Sequence, residues 1–458
     1  MRVTQMTTIA AISTPNAAGG IGMVRLSGDA AFAVADVCFR AVSGRRISEM
    51  KGYTAAYGRV FDADGDIDDG VCVVYRAPHS FTGENTVEIC CHGGLFVMQK
   101  VLRAVLAAGA IPAGPGEFTK RAFLNGKMDL AQAESVMGVI SAQGTVALNA
   151  SRSALEGAVS RKTESISSML LSAAASLAAW ADYPEDDVPA VDGSSLASSL
   201  ENAASELKKL IERCDNGKAV TEGVRTVICG KPNVGKSTLM NLLSGYDRSI
   251  VTSIAGTTRD VVEETVRLGD IVLRLADTAG IRDTNDEVEK IGVSAAKKRI
   301  ENADLTVAVF DISRALSDED RQLLEQCKNK RCVAVINKTD LVHALDIDEI
   351  KKYIPETVLI SAKDVDSADD LKASLERVLG VASADFTQEM LIGERQRSCA
   401  VKALAYVKEA LDALNGGLTL DAVNVSIDCA LGELMSLTGK RVTDETVNEV
   451  FAKFCVGK

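Results

Sequence analysis

The chain has 458 residues, 47% hydrophobic and 25% charged, an ordinary globular balance with room for about two to four domains. A formal net charge of −12 gives no global basic footprint for nucleic acid, so an RNA partner would need a local basic groove or a second protein. Eleven cysteines without a C-x-x-C pair, and only His79, His92 and His343, argue against a disulfide scaffold, histidine-rich metal sites and Ser-His-Asp chemistry.

The start, MRVTQMTTIA, lacks the basic-then-apolar pattern of a signal peptide. The most apolar helical stretch, SMLLSAAASLAAWA (168–181), is too short and serine-studded to span a bilayer, so a cytosolic location without membrane contact is expected. Residues 1–126 read as a mixed α/β domain: β-branched runs such as VCVVY (71–75) and TVEICC (86–91) alternate with glycine-rich breaks and the helical run VMQKVLRAVLAAG (97–109). His92-Gly93-Gly94 reads as a turn or helix start rather than a catalytic histidine, because no base or nucleophile stands near it in the sequence.

From 127 to 219 the period becomes helical. Ile166, Met169, Leu170, Leu177 and Trp180 share one face, and Leu196, Leu200, Leu207, Leu210 and Ile211 another, interrupted by YPEDDVPAVDGSS (183–195). Residues 220–378 alternate strand and helix patterns (VRTVICG, TLMNLL, IVLRLAD, LTVAVFD, CVAVIN, TVLIS), as a doubly wound parallel sheet does. Helices return over 379–458, with one stripe through Val401, Leu404, Val407, Leu411 and Leu414 and another through Val447, Val450, Phe451 and Phe454. The expected class is α/β plus α, with the α/β block inserted into a helical domain.

The inserted block carries the chemistry. GKPNVGKST (230–238) follows a strand and opens a helix, the context a phosphate-binding loop requires. Its glycines Gly230 and Gly235 let backbone N–H groups around Asn233 and Val234 wrap phosphate oxygens. Lys236 adds charge on the β/γ oxygens, and the hydroxyl of Ser237, followed by Thr238, suits magnesium. Asp277, Thr278, Ala279 and Gly280 close a strand where a carboxylate can hold magnesium through water and an N–H can meet a γ-phosphate. Asn337, Lys338 and Asp340 of NKTD close another; Asp340 can accept both donors of a guanine edge, which adenine lacks. Ser361, Ala362 and Lys363 complete the base pocket. Together these motifs, each at a strand's carboxyl end, specify a GTP site.

The first switch is VTSIAGTTRD (251–260). Thr258 can meet magnesium and the γ-phosphate, while Thr252, Ser253, Ile254, Ala255, Gly256 and Thr257 offer hydroxyls and carbonyls for an oxygen cage. Asn233 either aims its amide at a monovalent cation there or caps turns of the loop. Ile281 stands where many GTPases carry a water-orienting glutamine, so the domain is either a slow switch or uses another group. Arg282, Asp283, Asp286, Glu287 and Glu289 are the candidates.

Beyond these motifs, TIAAISTPNAAGGIGMVRLSG (8–28), FTGENTVEICCHGG (81–94), PGEFTKRAFLNGKMDLAQAE (115–134), DTAGIRD and the final FCVGK extend the pattern over the whole chain. With them the chain resembles the MnmE (TrmE) family of bacterial tRNA-modification GTPases. The resemblance implies a homodimer whose G domains meet across the nucleotides, stimulated by potassium held by Asn233, Thr252, the Ile254 carbonyl and Thr257. It implies magnesium at Ser237 and Thr258, and Glu289 as the residue positioning the hydrolytic water. It also implies that the N-terminal domain dimerises and binds a 5-formyl- or methylene-tetrahydrofolate near Arg25, Glu88, Lys127 and Lys458. A flavoprotein partner, MnmG (GidA), would act with it on C5 of the wobble uridine, position 34, of tRNA.

The FCVGK segment follows a helix expected to start at Thr443 as N-cap, with Asp444 and Glu445 in its first turn. Cys455 is then either a chemical participant, its thiolate suited to adding at C6 of uracil, or a structural neighbour. A ribosome-assembly or RNA-chaperone switch would instead carry a basic appendage with a GxxG segment after the G domain, and 380–458 shows helices without one.

Overall fold

The computed structural model describes residues 7–182, 193–221, 223–246, 264–269, 271–275, 300–301, 303–380 and 389–458. Two compact units result, one of Met1–Met137 with Leu431–Lys458 and the other of Gly138–Ala430.

The first unit is built on a seven-stranded sheet of β1 (Ile9–Ile12), β2 (Ile21–Ser27), β3 (Phe39–Ala41), β4 (Thr54–Asp62), β5 (Gly65–Tyr75), β6 (Thr86–His92) and β7 (Ile111–Pro112), in the order β3-β4-β5-β6-β2-β1-β7. Neighbours run antiparallel except β1 with β7. Side chains alternate across a strand, so Val87, Ile89 and Cys91 of β6 turn to a core with Val24, Leu26, Phe32, Met98 and Val101. Burying each such large side chain contributes roughly 1.5–3 kcal/mol. The same alternation turns Glu88, Cys90 and His92 to the opposite face, where register sets Glu88 against Arg25. Gly94 caps the helix Leu95–Ala107, so the glycines after His92 do form a helix start.

The C-terminal helix Asp444–Ala452 belongs to this unit. Thr443 caps it by accepting from the Thr446 amide, with Asp444 and Glu445 in the first turn, as its sequence implies. Val447, Val450, Phe451 and Phe454 are buried. The Phe451 ring lies 5.1 Å from Phe454 and 6.4 Å from Phe123.

The second unit combines helices with a six-stranded sheet of β8 (Val224–Cys229), β9 (Glu264–Leu268), β10 (Ile271–Leu275), β11 (Leu305–Asp311), β12 (Cys332–Asn337) and β13 (Thr357–Leu359). The order is β13-β12-β11-β8-β10-β9, parallel throughout except for the antiparallel β9 edge. Every residue of β11 and β12 is buried, the continuous apolar reading of strands covered on both faces.

Helix Glu394–Asn415 differs from the expected leucine stripe. Ala400, Ala403, Val407, Ala410 and Ala413 face inward, while Val401 is 40% exposed and Leu404, Leu411 and Leu414 lie at the margins. Small side chains let this helix pack closely on Gly193–Thr221, and close approach displaces the bulkier leucines to the flanks. On Gly193–Thr221 and Ala158–Asp182, Ile166, Leu170, Leu177, Leu196, Leu200, Leu207 and Leu210 of the expected faces are buried, Met169 and Ile211 are half-buried, and the Trp180 side chain lies outside the described residues.

Candidate functional site

Strand β8 ends at Cys229 between β10 and β11, so residues 230–235 turn over the carboxyl edge of the parallel sheet. Gly230, Asn233 and Gly235 have φ of +147°, +63° and +101°. Alternation of such residues with ordinary ones directs successive N–H groups into one concavity, an anion cradle. A Cβ on Gly235 would fall on the side-chain nitrogen of Asn337, so steric space and backbone both require glycine there. The Lys236 ammonium bridges the loop, donating to the carbonyls of Gly230 (2.6 Å) and Lys231 (2.8 Å). Ser237 and Thr238 are exposed in the first turn of helix Lys236–Tyr246.

Asn337 is the keystone. Only 2% exposed, it donates to the Val234 carbonyl at 2.8 Å and accepts from the amides of Lys338 (2.8 Å) and Ala362 (2.9 Å). One side chain thereby joins the phosphate loop, the NKTD turn and the SAK turn. Lys338, at φ +66°, donates to the Asn233 carbonyl at 2.7 Å and to Asp311 at 2.6 Å. Burial works to raise the Asp311 carboxyl, but hydrogen bonds from Lys338 and Ser313 outweigh it and hold the group below its ordinary value. Lys231 reaches Ser317 and Asp320, both at 2.8 Å, which form the capping box of helix Asp318–Cys327. Asp340 stays open, 41% exposed, with the Ser361 hydroxyl at 3.3 Å and the Lys363 ammonium at 3.6 Å. An amide cradle beside an ammonium suits phosphates, and an open carboxylate steadied by a hydroxyl suits a base edge with paired donors. Thr252 to Thr258, Asp277 to Gly280 and Glu289 lie outside the described residues.

The first unit holds a second constellation. Arg25 and Glu88 pair at 2.8 Å, with side chains 16% and 13% exposed, and the Tyr75 hydroxyl donates to the other Glu88 oxygen at 3.2 Å. That partner burdens the Tyr75 phenol: burial first, then the Glu88 charge, raises it above its ordinary value. Arg25 lies over the Phe118 ring at 5.7 Å and donates to the Gly457 carbonyl at 3.4 Å, so the C-terminal segment comes to the pair. Val456 bridges to Pro115, the amides of Gly116 and Phe118 donate to the main-chain oxygens of Cys455 (3.2 Å) and Lys458 (3.1 Å), and Ser13 donates to Gly457 at 3.0 Å. Cys455 itself is exposed. Lys127 is placed apart. Its ammonium donates to the Pro78 carbonyl at 3.1 Å, and among the described residues no hydrogen bond or ion pair joins it to Arg25 or Glu88.

Sequence reading missed several partners. His92 does have a carboxylate beside it: Asp68 accepts from its amide (2.7 Å) and meets Nδ1 (2.8 Å) across neighbouring strands. Asp311, Lys231, Tyr75 and Ser13 also join these sites through contacts distant in sequence, although strand alternation alone puts Tyr75 on the face opposite Val74.

Comparison with known proteins settles the family. The family described as "GTP-binding protein TrmE N-terminus" matches residues 8–127, and "MnmE helical domain" matches 130–455. The tRNA modification GTPase MnmE of Clostridioides difficile (strain 630) is 39% identical over 454 residues, covering 98% of this chain and 99% of that protein. The chain belongs to the MnmE family of tRNA modification GTPases. MnmE proteins from Lachnoclostridium phytofermentans, 40% identical over 98% of this chain, and Lactobacillus helveticus, 38% identical over 100%, each match across 99% of their own length. Among solved structures, the FeoB G domain from Methanococcus jannaschii is similar at 24% identity, covering 34% of this chain and 98% of that one, with a TM-score of 0.25. The MnmE match spans both constellations, the N-terminal one and the phosphate loop.

Proposed function

We propose that this MnmE-family chain hydrolyses GTP at the site framed by Asn337 and couples turnover to modification of C5 of the wobble uridine, position 34, of tRNA. The observation that carries the nucleotide reading is the single buried amide that locks phosphate loop, NKTD turn and SAK turn together. Magnesium, held by Ser237 and Thr258, would neutralise charge on the phosphate oxygens. Asn233, Thr252, the Ile254 carbonyl and Thr257 would hold potassium, and Glu289 would orient the attacking water. Lys236 grips the transferring phosphoryl group, and Asp340 selects guanine by accepting from its two edge donors.

In the N-terminal unit, the paired Arg25 and Glu88 with Tyr75 present donors and an acceptor in a row, a set suited to the amide edge and carboxylate tail of a folate. Lys127 and Lys458 would add charge for the tail. Cys455 is the nucleophile of this reading. Its thiolate would add to C6 of uracil and raise electron density at C5; a bound folate would supply the one-carbon unit there, and loss of the C5 proton would expel the thiolate again. The working form is a cytoplasmic homodimer with the flavoprotein MnmG.

Nucleoside mass spectrometry of tRNA from a deletion strain tests this reading. Wild type should restore C5-aminomethyl-type wobble uridines and Cys455→Ser should not; unchanged uridines on deletion would sink the tRNA assignment. Asp340→Asn should trade GTP for xanthosine triphosphate, shifting preference by roughly 10³-fold or more, since a base edge with one donor replaced by an acceptor now fits an amide. Potassium-for-sodium exchange with purified chain checks the monovalent site, and retention of full turnover in sodium would remove it.

A further inference from the structure

We propose that Arg121 is a positioning residue for the Cys455 segment, acting through Glu117 and the turn Gly114–Gly116. The proposal rests, for its functional consequence, on the reading of Cys455 as a reactive group.

Arg121 sits in helix Glu117–Leu124 and is 5% exposed. A guanidinium that buried must be paired, because the desolvated charge alone is strongly unfavourable. It divides itself between two carboxylates: Nη2 meets Glu117 at 2.9 Å and Nη1 meets Glu84 at 3.2 Å. Neither carboxylate is otherwise idle. Glu84 accepts from the Ser27 hydroxyl at 2.6 Å, which fixes it to the end of β2. Glu117 uses its second oxygen to accept from the Gly114 amide at 2.7 Å. With one oxygen held by Arg121, Glu117 can take a single rotamer, and that rotamer closes the turn.

The turn is what grips the tail. Pro115 bridges Val456, and the Gly116 amide donates to the Cys455 carbonyl. Gly116, at φ +61°, lies so close under Phe454 that a Cβ there would be 2.8 Å from the Phe454 Cβ. On the far side Ser13 and Arg25 hold the Gly457 carbonyl, and Gly457, at φ +94°, leaves no space for a Cβ beside the Ile12 carbonyl. The backbone around Cys455 is therefore clamped from both sides while the residue stays exposed. Ser13 and Arg25 fix one jaw directly. The other jaw depends on Glu117, and Glu117 depends on Arg121, whose ion pairs are with Glu84 and Glu117.

Hydrogen exchange on the full chain tests the inference, read in peptides covering 112–119 and 450–458. Arg121→Met should speed exchange at the Gly116 and Phe118 amides roughly 10- to 100-fold, the worth of a lost charge-assisted bond, and leave helix Leu95–Ala107 unchanged. GTP turnover should stay within about twofold, because this network belongs to the unit of Met1–Met137 with Leu431–Lys458 and the phosphate loop to that of Gly138–Ala430. Arg121→Lys, which keeps one pairing, should recover much of the protection. Glu117→Gln supplies the same test if Arg121→Met fails to fold: it keeps an acceptor for Gly114 but drops the charge, so the turn alone should loosen. Unchanged protection in both variants, or loss spread evenly over the sheet, overturns the proposal. Fast local exchange with normal wobble-uridine modification upholds the positioning and overturns the reading of Cys455.

Discussion

The phosphate loop and the Cys455 clamp solve the same problem, holding a short backbone segment in a set shape, by opposite means. Residues 230–238 carry most of their geometry within nine consecutive positions, the glycines and Asn233 setting the turns and Lys236 closing the loop on itself. Residues 455–458 carry almost none: their main-chain groups are held by Ser13, Arg25, Gly116 and Phe118, more than 300 positions away. The first can be recognised wherever it occurs. The second exists only once the N-terminal sheet has folded.

That contrast can be broken most sharply at one glycine in each region. Gly235→Ala places a methyl group on Asn337 at a φ that favours glycine, and should weaken a fluorescent GTP analogue about 100-fold or more, strain and a lost buried hydrogen bond adding together. Gly457→Ala drives a methyl into the Ile12 carbonyl and should release the tail, abolishing wobble-uridine modification while nucleotide affinity stays within about twofold. If either change crosses over to the other site, the two are not independent.

Each region also has a thiol. Cys229, at the root of the phosphate loop, is raised well above its ordinary value by its hydrogen bond to Cys327 and by burial. Burial likewise pushes Cys38 up to about 12 and Cys91 up to about 11. Native alkylation at pH 8 followed by peptide mapping should label Cys455 and Cys429, the exposed pair, and spare these three until the chain is unfolded.

A smaller effect separates the regions by pH. Asp311 is held below its ordinary 3.8 through Lys338, so the pair's stabilisation is complete above that value and fades as the carboxyl protonates beneath it. Asp311→Asn should therefore lower the melting temperature near neutrality, with the gap to wild type closing in strong acid. On the sheet of the other unit, the Asp68 hydrogen bond and charge raise His92 above its ordinary 6.5. Protonated His92 is thus favoured in the fold, a contribution present below the unfolded value and lost as pH rises through the folded one. Asp68→Asn should bring the NMR titration of His92 back down, with little change in melting temperature because the ring is 75% exposed.

The strands of the G domain were legible because β11 and β12 are continuous apolar runs, and the nucleotide motifs because each keeps its spacing at a strand end. Helix Glu394–Asn415 misled because periodicity ranks leucine above alanine, whereas its neighbour selects the alanine face for close approach. Asp68 went unseen beside His92 for a different reason: strand pairing, not sequence distance, makes them neighbours.

By itself the sequence determined the doubly wound sheet, the phosphate loop, the NKTD turn and the cap of the last helix. All depend on residue type at fixed short spacing, through backbone sterics and local hydrogen bonds. Only tertiary structure decided that Asn337 binds three turns together, that Arg25 faces Glu88, and that the main chain of 455–457 is held by Gly116 at Cys455 and by Ser13 at Gly457. Those contacts are fixed by strand register and by burial, which bring distant main-chain groups together after the cores have formed.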